Sequence, residues 1–127
     1  MRRLFQLVLL FSLIIIINES SYAQVKKLYI DDQLLQDSIY KSNKKKVLNF
    51  SMKEFDTLFF EYFKRKNDAN VVLTKKDFYT YTVQIATFSD RLSTLYPEEK
   101  EVAAQNKEKW LSESYEDYLG YKASQKK

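Results

Sequence analysis

The hydrophobic positions of this chain follow two different patterns. Across residues 4–17 they form an almost unbroken run of fourteen, interrupted only by Gln6 and Ser12. Further on they recur at intervals of three and four, as in helices that bury one face. Residues 31–40 (DDQLLQDSIY) predict a short helix, with Asp31 and Asp32 at the end the macrodipole favours and Leu34, Leu35 and Ile39 as its apolar stripe. Residues 41–46 (KSNKKK) read as a solvated basic link. Ser51 followed by Glu54 is a capping box that opens a second helix. Behind it Met52, Phe55, Leu58, Phe59, Tyr62 and Phe63 fall within an arc of about 140° at about 100° per residue. Lys64, Arg65 and Lys66 close this helix where cations suit the dipole, and Asn67, Asp68 and Asn70 supply turn chemistry.

Residues 73–97 carry both periods. Tyr79, Tyr81, Val83 and Ile85 alternate as a strand would, while Phe78, Tyr81, Ile85, Phe88, Leu92 and Leu95 keep helical steps over a longer window. The longer match predicts a helix opened by Thr74 and Asp77, with β-branched Thr and Val weakening it. Pro97 starts the next element, with Glu98, Glu99 and Glu101 in its first turn. A last helix is predicted from there to Leu119, thinly apolar at Val102, Ala103 and Ala104 and richer at Trp110, Leu111, Tyr115, Tyr118 and Leu119. Gly120 is placed to follow its end, before a frayed basic tail over 122–127.

One glycine and one proline in 127 residues leave little turn material, so few and long elements are expected. The fold class is all-α: a small up-down bundle of three long helices plus a short N-terminal helix. Expected boundaries are a leader over 1–23, an N-terminal segment over 24–48, a bundle over 49–121 and the tail over 122–127.

The apolar run has the make-up of an address. Arg2 and Arg3 precede it, and Ser21-Tyr22-Ala23 puts small residues three and one positions before Gln24. Its length of about 21 Å is short against a hydrocarbon core of about 30 Å. The leader resembles those of bacterial exported proteins, in which cleavage between Ala and Gln is common; the resemblance covers residues 1–24. It implies a mature chain beginning at Gln24, located in the periplasm or outside the cell, with no stable membrane span. An uncleaved anchor is the alternative. With no Cys in the chain, neither lipidation of a cysteine nor a disulfide framework is available.

Without the leader, 19 basic residues face 16 acidic ones. That mild excess on an exported chain is a poor indication of nucleic acid. No His and no Cys means no imidazole base, thiol nucleophile or Cys/His zinc site, and the lone Gly120 rules out a glycine-rich phosphate loop. No cofactor and no metal site is expected. Carboxylate catalysis remains open, through Glu54 and Glu61 or through Glu113, Glu116 and Asp117. A solvated helix face explains both sets equally, with Glu61 placed to pair with Arg65 and Glu113 with Lys109.

Aromatic side chains are the stronger signal. Phe60 falls about 60° beyond the apolar arc of its helix. Tyr79, Val83 and Ala86 form a patch away from the 78–95 stripe. Either each helix has two neighbours, or Phe60, Tyr79 and Val83 belong to a partner-binding surface. A phenol tolerates water at its edge and Phe has no polar atom, so Tyr79 is expected exposed and Phe60 partly buried. Lys44, Lys45 and Lys46, with Lys64, Arg65 and Lys66, are candidates for weak contact with anionic envelope polymers. The functional expectation is a non-enzymatic exported protein that binds an envelope protein as an adaptor or chaperone-like component. Alternatives are a carboxylate-dependent cell-wall or polysaccharide hydrolase, and a secreted inhibitor or immunity-type protein.

Overall fold

The structure, a computed structural model, describes residues 26, 27 and 30–126. The leader and its cleavage site lie outside them. The chain divides into two compact units, Met1–Leu34 and Leu35–Lys127. In the first, residues 26, 27 and 30–34 are helical, where a loose start was expected up to residue 28. Leu34, assigned above to an apolar stripe, is 62% exposed.

The second unit is all-helical among the described residues. It begins with helical residues 35–48, termed α1. There follow α2 (Met52–Asn67), α3 (Lys75–Leu95), a 3₁₀ turn (Pro97–Glu99), α4 (Lys100–Leu111) and α5 (Tyr115–Ser124). The capping box that opens α2 is formed: Ser51 Oγ accepts from Glu54 N at 3.1 Å, and Ser51 N donates to Glu54 Oε1 at 3.3 Å. At the start of α3, Thr74 Oγ1 accepts from Asp77 N at 3.1 Å.

The central element is α3, and every residue from Phe78 to Ser89 except Thr80 is buried. It packs against α2, α4 and α5, and Gln84 Nε2 donates to Asn43 Oδ1 of α1 at 2.8 Å. A helix enclosed in this way needs apolar residues on both faces, so the Phe78–Phe88 stripe and the Tyr79–Val83–Ala86 patch are both core. Its buried hydroxyls bond inward, as with Thr87 Oγ1 to Val83 O at 2.7 Å. Phe55 near the start of α2 stacks on Phe88 at 4.1 Å, while Arg65 near its end reaches Tyr81 and Asp77. The two helices are therefore antiparallel. Ile39, Tyr62, Leu73, Phe78, Tyr79, Tyr81, Val83, Ile85 and Tyr118 make one core cluster, and Val47, Phe50 and Phe88 make another.

Three expectations are corrected. Residues 41–46 are helical and are not a link. Lysine is a good helix former, Asn43 is held by Gln84, and Val47 just beyond is fully buried, so tertiary contacts carry the helix past its lysines. The last predicted helix is two helices. The chain breaks over 112–114, Ser114 Oγ accepts from Asp117 N at 3.1 Å as the cap of α5, and Gly120 lies inside that helix. The tail is not frayed at its start, for α5 runs to Ser124 and Lys122 is buried.

Candidate functional site

The sequence candidates separate into a core group and a surface group. Tyr79 is 1% exposed and Val83 is fully buried, which overturns their assignment to an exposed patch. The phenol edge that was expected to meet water meets protein instead: Tyr79 Oη accepts from Tyr115 N at 3.0 Å. Phe60, expected partly buried, is 70% exposed. It lies on the far side of α2 from the core and touches the Phe59 ring edge-on at 6.5 Å between centroids. Met52 is 44% exposed at the start of the same helix, and Lys53, Thr57 and Lys64 are exposed along it.

The basic candidates are drawn toward rings. The Lys44 ammonium lies 5.5 Å from the Tyr40 ring centroid and Lys46 lies 5.9 Å from that of Phe50. Lys66 sits over Tyr62, Phe63 and Tyr121 at 5.5 to 5.9 Å. Such contacts stabilise by about 0.5–1 kcal/mol at exposed sites. Lys45 and Lys64 are exposed. Arg65 belongs to a polar cluster: its Nη1 donates to Tyr81 Oη at 2.9 Å, and the Tyr81 hydroxyl donates to Glu61 Oε1 at 2.6 Å. The sequence paired Glu61 with Arg65, and the structure inserts Tyr81 between them. Burial, and then the bond to Glu61, hold the Tyr81 phenol above its ordinary pKa, with Arg65 acting in the opposite sense.

The sequence reading missed how the turn after α2 is held. Tyr118 Oη accepts from Leu73 N at 2.8 Å, and Tyr115 Oη donates to Leu73 O at 2.7 Å. One turn of α5 thus satisfies both backbone groups of a buried residue. The buried Lys122 adds a bond from Nζ to Asp68 O at 2.7 Å. The tyrosine spacing of three was visible, but nothing local could show that both hydroxyls meet one residue more than forty positions earlier. A third tyrosine contrasts with these: Tyr62 is fully buried and its hydroxyl has no hydrogen-bond partner. Burial above all, and then the Glu113 carboxylate, push its pKa far up.

For catalysis or metal binding, the geometry offers less. Glu116 and Asp117 are exposed in the first turn of α5, and Glu113 precedes it in the break. Among the described residues no group of three or more acidic, His or Cys side chains is placed to hold a metal ion. No described helix is long and apolar enough to cross a membrane. Compared with protein-family models, curated proteins and solved structures, the chain matches none.

Proposed function

We propose that this chain is an exported, non-enzymatic helical protein of the bacterial cell envelope, which acts by binding another protein through the outer face of α2. The exposure of Phe60 carries the reading. A phenylalanine 70% open to water sits on a helix whose opposite face is already packed, so it serves no core contact that the fold requires. Aromatic anchors of this kind dominate the energetics of most interfaces. The leader supports export, and the absence of His and Cys narrows the catalytic alternatives.

Two measurements test it. The intact mass of protein purified from bacteria expressing the whole coding sequence should correspond to a chain beginning at Gln24. A mass that retains residues 1–23 removes the exported, processed form. Phe60→Ala should then lower the yield of partners captured from envelope extracts, while stability stays within about 0.5 kcal/mol. Unchanged capture removes the α2 surface as the binding face.

A further inference from the structure

We propose that the chain self-associates, with the acidic turn between α3 and α4 of one copy docking on the outer strip of α2 of a second copy. The inference rests on the reading of Phe60 as a contact residue and names its occupant.

Two surfaces carry it. On α2, Lys53, Phe60 and Lys64 fall within an arc of about 40° at about 100° per residue. All three are exposed, and Met52 lies at the same end of the helix as Lys53. Asp56 borders the strip on one side. On the other, Glu61 is committed to the Tyr81 hydroxyl. The strip is thus an aromatic anchor between two ammonium groups about 16 Å apart along the helix. At the α3–α4 turn, Leu95, Tyr96 and Val102 are 42%, 45% and 53% exposed. Glu98, Glu99 and Glu101 are exposed among them, with Lys100 as the one cation of the stretch. This turn is therefore negative in a chain whose formal net charge is +4.

Each surface has an apolar centre, and the charges around them are opposite in balance: Lys53 and Lys64 outnumber Asp56 on the strip, and three glutamates outnumber Lys100 at the turn. An apolar centre with a polar rim is the general plan of protein interfaces, and opposite charge at the rim sets orientation and partner choice. An anionic polymer would suit the lysines but offers nothing apolar to Phe60. An anionic lipid surface would suit the strip and repel the turn. A second copy satisfies both surfaces at once. Because each copy carries one strip and one turn, the contact either closes as a two-fold pair, made twice, or continues head to tail.

The test is sedimentation of the purified protein, expressed from its whole coding sequence, over a range of concentrations at low and high salt. Wild type should associate, less so at high salt. Phe60→Ala should weaken association by about tenfold or more. A charge swap gives the sharper result. The double variant Lys53→Glu/Lys64→Glu and the triple variant Glu98→Lys/Glu99→Lys/Glu101→Lys should each sediment as monomers, and their mixture should associate. Thermal melts by circular dichroism check the folding of each variant. If one does not fold, Phe60→Ala decides. Three results overturn the inference: wild type that stays monomeric throughout, a mixture that stays monomeric, or Phe60→Ala that associates as tightly as wild type. A monomeric chain that still loses envelope capture on Phe60→Ala overturns self-association and leaves the binding face standing. Self-association with capture unaffected does the reverse.

Discussion

Two buried tyrosine hydroxyls separate what a phenol contributes when paired and when unpaired. The Tyr118 hydroxyl accepts from Leu73 N, and Leu73 is buried, so Tyr118→Phe leaves a buried N–H without its partner. That should cost about 1–3 kcal/mol in denaturant unfolding. The Tyr62 hydroxyl is equally buried and has no partner, so Tyr62→Phe removes a desolvated polar group at no loss of bonding. It should be neutral or stabilising, and a loss above about 1 kcal/mol would show that the hydroxyl is paired. Phe88 is fully buried and stacked on Phe55, so Phe88→Ala should cost about 3–5 kcal/mol. Thr82 lies on the other face of α3. It is fully buried, and Thr82→Ala should cost about 1 kcal/mol for the lost methyl group.

At the scale of elements, α5 is the informative one. It is ten residues long, below the length at which an isolated helix is stable, so caps and docking must hold it. Ser114→Ala removes the side-chain acceptor of Asp117 N and should cost about 0.5–2 kcal/mol. Gly120 lies inside the helix at negative φ, and a Cβ built there meets nothing within 4 Å. Gly120→Ala should therefore stabilise the protein by about 0.4–1 kcal/mol, read as a rise in unfolding midpoint. A fall would mean that Gly120 is needed for something other than the helix. The glycine looked like a C′ residue because glycine is enriched there. Where a helix stops depends on caps and packing as well, and the cap signal at Ser114 and Asp117 was legible but outweighed by apolar periodicity running through it.

Across the whole molecule, alkaline pH is the condition to which the core should be most sensitive. Tyr62, Tyr81 and Tyr115 all have phenols held above their ordinary pKa of 10.0, with burial as the leading cause in each. An acid whose pKa is raised by folding contributes stability that is fully present below the unfolded value. That stability is lost as pH rises from there through the folded value. The window therefore opens near pH 10, when the unfolded chain begins to ionise its phenols and the folded chain does not. Stability should fall steadily above it, and phenolate absorbance should rise together with loss of helix. Full phenolate absorbance near pH 10 with the helix signal intact would contradict the burial of these rings. Tyr62→Phe should lessen the alkaline loss, since it removes the most strongly shifted group.

The sequence by itself determined α2 and α3, because strong helical period and a capping residue coincide at Ser51 and Thr74. It also determined the scarcity of turns and the chemistries that residues absent from the chain cannot perform. Tertiary structure alone decided which apolar faces are covered. Helical periodicity reports that a face is apolar and carries no information about what lies opposite. Tyr79 and Phe60 were alike in lying off their stripes. Yet α3 is enclosed by neighbours, which takes Tyr79 into the core, while the far face of α2 is open and leaves Phe60 in water. The course of α1 through its lysines has the same origin. The bond between Gln84 and Asn43 and the burial of Val47 hold that helix, and each depends on residues brought together only when the chain folds.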